Sequence, residues 1–373
     1  MTAAWDVVVI GAGPAGSLAS RAAAMAGARV LLVDKAVFPR GKVCGCCVNA
    51  SALATLAAVG LGHVAEACGA RPVREVVLAA GGRTARLRWP GGVSLSRERL
   101  DHALVEAATA TGVTLRSGVA ATLLPVGESH GDVRQVRVGD EVATASVVVV
   151  ADGLQGRSAA EEPGLTPRAA AASRIGLGAT LEVNCNAYAD GVIHMAVARG
   201  GYVGVVRLED GRLDVAAAVD PTWLAAQASS ADAIATLLDE AGMPRVPSLR
   251  TARWRGTPRL TRRRAVAAWR VLVAGDAAGY VEPFTGEGMA WAMATGVAAG
   301  RLAGQGWSPG MAAQWRTMHR RLTARRRVVC RAITLSLRRP RLIGAAVRLL
   351  AWRPGLAGPI ITGIHGAPTA RPA

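Results

Sequence analysis

Two separated groups of residues in this 373-residue chain have the types and spacing to hold a reactive group. The first is Gly11-Ala12-Gly13-Pro14-Ala15-Gly16, which follows the apolar run Trp5-Asp6-Val7-Val8-Val9-Ile10 and leads into an alanine-rich stretch. A strand, a glycine turn and a helix start make a diphosphate site. Gly11 permits the tight turn, Gly13 lets backbone approach phosphate oxygens, Gly16 allows close helix packing, and the helix N-terminus, entered through Pro14 and Ala15, supplies partial positive charge. Asp34 ends the next strand, 18 residues after Gly16, where a carboxylate can accept from both ribose hydroxyls of an adenosine. A glycine turn of this kind also occurs in ordinary α/β domains; the strand–helix–strand context and the terminal acid argue for a dinucleotide. An acid here disfavours a 2′-phosphate, which leaves FAD or NAD rather than NADP as the resident group.

The second group lies far downstream. Val271-Leu272-Val273-Ala274-Gly275-Asp276-Ala277-Ala278-Gly279 is a buried-strand pattern running into a Gly-Asp turn, followed by Pro283-Phe284-Thr285-Gly286-Glu287-Gly288-Met289 at a helix start. This pairing resembles the FAD-contacting segment of the p-hydroxybenzoate-hydroxylase-like flavoproteins. The resemblance implies FAD, with Gly275 and Asp276 at the ribityl chain and the amides of Gly286, Gly288 and Met289 at the pyrimidine side of the ring. Two more motifs of that family have counterparts. Arg97-Glu98-Arg99-Leu100-Asp101 fits its R-x-x-[LF]-D helix start, which implies contact between Arg97 and the cofactor. Asp152-Gly153 follows a central strand as its Asp-Gly motif does, although Gly156 stands where the family carries a serine.

Within the family, Phe38-Pro39-Arg40-Gly41-Lys42-Val43-Cys44-Gly45 and the Pro283–Gly288 segment look most like the geranylgeranyl-reductase branch. That likeness implies Lys35, Arg40, Cys44 and Gly45 beside the cofactor, and Cys44, Tyr202, Pro283 and Phe284 on the substrate side. His194-Met195 and Gly200-Gly201-Tyr202-Val203-Gly204 occupy the place of an aromatic-rich strand motif, but Gly204 and Val206-Arg207 replace its tryptophan and Phe-Pro.

Other reactive side chains admit more than one reading. Cys44-Gly45-Cys46-Cys47 contains a C-x-x-C that suits a redox disulfide, a partial metal site, or small residues lining a flavin pocket. A metal lacks ligands, since only His63 and Cys68 lie nearby, so no metal site is expected. A redox pair would sit outside a thioredoxin-like context, and the family likeness at Cys44-Gly45 favours the pocket. Tyr202 lines a cavity or packs in a core with its hydroxyl satisfied. Glu287 caps a helix or serves as an acid. His194 is the one histidine in a region of interest.

The elements that would position these residues are readable from periodicity. Strands are expected near 5–10, 29–33, 73–79, 83–88, 113–116, 119–124, 133–138, 142–150 and 269–274, with a β-rich stretch over 175–219. Helices are expected over 14–26, 49–59, 97–111, 222–241 and most of 287–352. Taken with the family resemblance, these elements imply an α/β fold: a Rossmann-like FAD-binding domain from 1–75, 97–160 and 265–305, an inserted β-sheet substrate domain from 76–96 and 161–264, and a basic helical region over 306–373.

Composition bounds the partners. Hydrophobic residues make up 51% and charged residues 19%, which excludes a disordered chain. The net charge of +18 is concentrated: residues 241–373 hold 23 Lys and Arg against only Asp276, Glu282 and Glu287. Aromatic content of 4% leaves little to stack on bases, so nucleic acid is disfavoured. The stretch between Lys42 and Glu66 is uncharged but carries three cysteines, Asn49 and Ser51 among glycines, and does not read as a membrane span. Without a signal-peptide pattern, a cytoplasmic location is expected. Arginines from Arg320 to Arg348 alternate with Leu, Ile and Val. That pattern suits helices in a membrane interface, or equally a capping subdomain with a solvated basic face.

These features point to an FAD-dependent oxidoreductase driven by NAD(P)H as a transient donor. Reduction of a double bond in an apolar, isoprenoid- or lipid-like substrate comes first, and hydroxylation or epoxidation by a monooxygenase second. A non-catalytic basic membrane- or nucleic-acid-binding module is the reading of another class.

Overall fold

The structure is a computed structural model, and it describes residues 4–44, 46–126, 132–282, 284 and 286–358. The ends of strands Ala4–Ile10 and Glu141–Val150 are apolar and buried on both faces, the pattern of central strands in a covered parallel sheet. They pair in parallel, Val8 against Val148. Val30–Asp34 and Thr114–Ser117 extend the sheet on one side and Val271–Val273 on the other, all parallel. Ala267–Ala268, Arg134–Val138 and Ala121–Leu123 complete it in antiparallel pairings. The parallel strands therefore deliver Gly11, Asp34, Asp152 and Asp276 to one edge, the carboxyl ends where open α/β sheets bind ligands.

Two helices meet behind that edge at backbone contact. On the first, Pro14–Met25, residues Ala15 and Ala19 face Gly296 and Gly300 of Glu287–Gly304. A Cβ on Gly296 would lie 2.2 Å from the Ala15 carbonyl oxygen, and one on Gly300 2.1 Å from that of Ala19. No side chain fits between these helices, so the glycines set their separation. Helix Arg97–Thr109 begins at Ser96, whose hydroxyl accepts from the Arg99 amide at 3.3 Å.

The second sheet runs in the order Arg255–Arg259, Ile175–Leu181, Leu213–Val219, Gly201–Arg207, Val192–Ala198, Glu75–Ala80, Arg83–Arg88. Alternation gives it two different faces. Val203, Val205, Val215 and Ala217 pack with Ile234, Leu237 and Leu238 of helix Ser230–Ala241. The other face carries Leu78, Met195, Gly204 and Ala216, which are successive cross-strand neighbours. It looks toward the first sheet.

Helices Met311–Ser336 and Pro340–Trp352 close the remaining side. Trp315 anchors the first of them: it is fully buried, and its indole N–H donates to the Val273 carbonyl at 3.2 Å. Ile343, Val347 and Leu350 of the second pack with Ala80 and Ala85 of the outer hairpin.

The α/β architecture and the helical C-terminal region are as expected from the sequence. The helix expected over 222–241 is two, Pro221–Ala225 and Ser230–Ala241, because the Ser229 hydroxyl caps the second by accepting from the Asp232 amide. Two three-stranded sheets were not anticipated. Cys47–Asn49, Gly92–Ser94 and Arg71–Pro72 form one; Arg168–Ala169, Arg262–Arg263 and Gly279–Tyr280 form the other. Strands of two or three residues are too short for alternation to mark them.

Candidate active site and flavin cradle

The strand ends, the start of helix Glu287–Gly304 and the inner face of the second sheet surround one cavity of about 1290 Å³. Its floor at one end is the glycine turn. Gly11 has φ +102, and a Cβ there would lie 2.5 Å from the Ala151 carbonyl oxygen; one on Gly16 would lie 1.6 Å from the Gly11 carbonyl oxygen. Both positions demand glycine for the fold itself. Gly13 differs. A Cβ there would project into open space, its nearest neighbours the guanidinium nitrogens of Arg40 at 3.7 Å and Arg97 at 3.9 Å.

Those two cations are held from behind. Arg97 donates twice to Asp101, both at 2.8 Å, and Arg40 Nη1 lies 3.2 Å from the same fully buried carboxylate. Arg40 also lies 3.7 Å from Asp34. Lys42 joins them, its ammonium 2.9 Å from where a Cβ of Gly153 would be. Burial first, then Arg97, pulls the Lys42 pKa down, against the attraction of Asp276 and Asp101. A cleft with three cations above bare backbone matches a diphosphate in both charge and space.

Asp34 borders the cavity but also braces the turn: its oxygens accept from Ala12 N at 2.7 Å and Ala36 N at 2.9 Å. Lys35 stands at the rim, its ammonium 3.0 Å from Gln155 Oε1. Pro14 and Ala15 line the same end.

At the far end Asp276 lines the cavity, its pKa raised by burial and pulled back by Lys42 and Arg97. Gly275 sits just behind, donating its N–H to Thr295 Oγ1 at 2.9 Å. Gly286, Gly288 and Met289 line the wall at the helix start. Glu287 between them turns away: it is buried and accepts from Asn49 Nδ2 at 3.0 Å and Arg326 Nη1 at 2.9 Å, so it braces the helix. The residues present thus fit FAD from diphosphate to ring.

Cys44 lines the cavity and accepts hydrogen bonds from the Cys46 thiol and Arg97, which together hold its pKa below the usual thiol range. Its neighbours behave oppositely, the hydrogen bond to Cys44 and burial pushing Cys46 up and burial pushing Cys47 up. All six cysteines are free, and the described residues contain no cluster of three metal-binding side chains.

The chamber beyond is apolar. Leu78, Ile193, Met195 and Val206 form its floor, with Val329, Ile333 and Leu337 opposite. Tyr202 presents its ring to it, edge-on to Phe284 with centroids 5.1 Å apart. Its hydroxyl is buried with no hydrogen-bond partner, and burial and Glu282 raise its pKa. Arg174, 5.7 Å over that ring, pairs with buried Glu282 at 2.8 Å.

The cavity wall therefore includes every described residue that the sequence assigned to the cofactor or the substrate side except Gly16 and Gly275, which support it from behind. Gly45 and Pro283 lie outside the described residues. His194 does not line the cavity: it stacks edge-on to Tyr188 at 4.9 Å. Gly156 also has a local reason, since a Cβ there would lie 3.3 Å from Arg264 Nη1 and 3.8 Å from Asp152 Oδ1. The missing side chain gives the Arg264 guanidinium its room. Sequence reasoning missed Lys42, Asn49, Tyr280 and the helical wall. Lys42 stood inside a quoted motif, whereas Tyr280 carried no signal beyond its place four residues after Asp276.

A family model described as an FAD binding domain matches residues 4–303. Menaquinone reductase of Mycobacterium tuberculosis is 34% identical over 157 residues, 40% of this chain and only 38% of that protein. Digeranylgeranylglycerophospholipid reductase 2 of Methanopyrus kandleri is 28% identical over 319 residues, 81% of this chain and 77% of the relative. Among solved structures, a geranylgeranyl bacteriochlorophyll reductase-like protein of Thermoplasma acidophilum superposes with a TM-score of 0.75 at 19% identity, covering 93% of this chain and 91% of its own. A flavin-dependent brominase superposes with a TM-score of 0.76 at 17% identity, covering 98% and 94%. With the family model spanning both halves of the cradle, the chain belongs to the FAD-binding domain family.

Proposed function

We propose that the chain is an FAD-dependent oxidoreductase that takes hydride from NAD(P)H and saturates a carbon–carbon double bond of an apolar, isoprenoid- or lipid-like substrate. The observation that carries the reading is the apolar chamber joined to the flavin cradle without a partition, with Met195, Val206, Ile333 and Leu337 on its walls. Such walls bind by area removed from water rather than by polar matching. Two relatives are reductases whose names specify menaquinone and a digeranylgeranyl lipid.

When bound, FAD supplies the hydride relay between donor and substrate. The chain's residues do the rest. Gly13 and the first helix receive the diphosphate; Arg40, Lys42 and Arg97 neutralise it; Asp34 and Asp276 orient the ribose and ribityl hydroxyls; and the amides of Gly286 to Met289 face the ring. Saturation also needs a proton at the second carbon. The unpartnered Tyr202 hydroxyl, which burial keeps protonated, holds one behind the chamber wall that the Tyr202 ring helps to form.

Hydroxylation or epoxidation of an aromatic or polyketide-like substrate is the second reading. It is favoured by Gly204 and Val206-Arg207 in place of the reductase branch's tryptophan and Phe-Pro. Arg207 itself donates to the carbonyls of Cys185, Tyr188 and Gly211, and serves the loops beyond the sheet. Mass spectrometry of the product separates the readings. The FAD-loaded protein with NAD(P)H and a polyprenyl substrate should add two hydrogens under strict anaerobiosis. A product that forms only in air and gains one oxygen atom would overturn the reductase reading.

A further inference from the structure

The helices that roof the chamber have a second apolar face, directed outward. Among the described residues ten large apolar side chains are strongly exposed, and six of them, Val328, Leu335, Leu342, Leu349, Trp352 and Leu356, lie on these helices and the turn that follows. Leu342 and Leu349 are two helical turns apart and Trp352 is one turn further, so three of the six form a stripe along the last long helix. That stripe is distinct from the inner one, where Ile343, Val347 and Leu350 pack against the hairpin.

Charge frames the stripe. Exposed Arg339, Arg341, Arg348 and Arg353 border it, and residues 306–358 hold twelve arginines and no Asp or Glu. Arg353 also lies over the Trp352 ring, 4.5 Å from its centroid. A second copy of the chain meeting this face about a two-fold axis would bring arginine against arginine. A nucleic acid would leave leucines and a tryptophan against sugar and phosphate. An anionic bilayer accepts both features: apolar chains and indole below the headgroups, guanidinium groups at lipid phosphates. No helix among the described residues is long and apolar enough to cross a membrane, so such a contact would be peripheral.

The chamber opens beside this face. Val328, Ala332, Ser336 and Ala346 line the cavity and are also exposed, which puts an open edge of the cavity between the two roof helices. We infer that the outer face of helices Met311–Ser336 and Pro340–Trp352 docks on an anionic bilayer, and that an apolar substrate enters the chamber there directly from the leaflet. The entry route rests on the reductase reading; the docking does not.

The test uses the FAD-loaded full chain and sedimentation with vesicles of phosphatidylcholine alone or with about one third phosphatidylglycerol. The expected result is binding to the anionic vesicles that weakens as salt rises. Arg341→Ser with Arg348→Ser should lower the partition coefficient roughly 25-fold, from about fivefold per arginine near such a surface. Leu349→Glu with Trp352→Glu should remove binding at every salt concentration, while flavin content and melting temperature stay at wild-type levels. No binding by the wild-type protein, or equal binding to neutral and anionic vesicles, would overturn the docking. So would a dimer in light scattering that the Leu349 and Trp352 changes abolish, or tighter binding to duplex DNA than to vesicles. Docking without anaerobic reduction of a vesicle-borne polyprenyl substrate would uphold the surface and overturn the entry route together with the reductase reading.

Discussion

Gly13→Ala separates cofactor binding from folding better than any other change in the cradle. Gly13 has φ −75 and ψ −175, extended backbone that alanine adopts freely. Its new Cβ would meet no atom closer than 3.7 Å, so the apoprotein should keep its stability to within about 1 kcal/mol. The methyl group would, however, occupy the space between the glycine turn and the guanidinium groups of Arg40 and Arg97, where the diphosphate is assigned. Overpacking of one such group costs about 1–3 kcal/mol, which at ~1.4 kcal/mol per tenfold weakens FAD about 5- to 150-fold. Gly16→Ala is the contrast: with a Cβ 1.6 Å from the Gly11 carbonyl oxygen, the turn itself must break and the apoprotein should melt early. Titration of flavin-stripped protein by fluorescence quenching, alongside thermal melting, reads both quantities. Unchanged FAD affinity in Gly13→Ala would refute the placement of the diphosphate, and a collapsed melting curve would refute the claim that Gly13 is open.

Arg97→Met leaves the buried Asp101 carboxylate with Arg40 alone, so the fold should lose about 3 kcal/mol in urea titration. Adding Asp101→Leu should restore stability but not flavin binding; restored binding would show that Arg97 serves only Asp101. His194 and His319 are buried, each with a ring nitrogen lacking a partner, and burial holds both pKa values down at about 4. Between the ordinary 6.5 and about 4 the unfolded chain binds protons that the fold refuses, so stability should fall as pH drops through that window, by up to about 3 kcal/mol per histidine. A flat profile there would contradict their burial in neutral form, and His319→Gln should flatten it by roughly half. Near neutral pH, Cys44 in the flavin-free protein should react with iodoacetamide before Cys68, whose thiol burial pushes up, because the thiolate is the nucleophile. Added FAD should slow the reaction, and equal rates with and without FAD would place Cys44 away from the cofactor.

Much of the cradle was legible because its constraints are local. A diphosphate needs bare backbone at a helix start, and Gly11, Gly13 and Gly16 announce that within six residues. Asp34 and Asp276 each end an apolar run, so their place at the strand ends follows from the pattern of the run before them. What stayed hidden depends on partners distant in sequence. Lys42 matters because Gly153 and Asp276 lie beside it, and nothing in its own segment names them. Gly156 read as a departure from a motif until Arg264, over a hundred residues later, filled the space beside it. The arginine-rich helices read equally as a cap and as an interface, since their periodicity admits an apolar face without saying how many. The fold uses one such face on the chamber and leaves another outside.

The glycine contacts between the first helix and helix Glu287–Gly304 have a mechanical consequence. One helix begins at the phosphate end of the cradle and the other at the ring end, and Ala15 against Gly296 and Ala19 against Gly300 leave no slack between them. They act as a caliper, so the distance between the two helix starts is set by backbone contact and not by the packing of side chains.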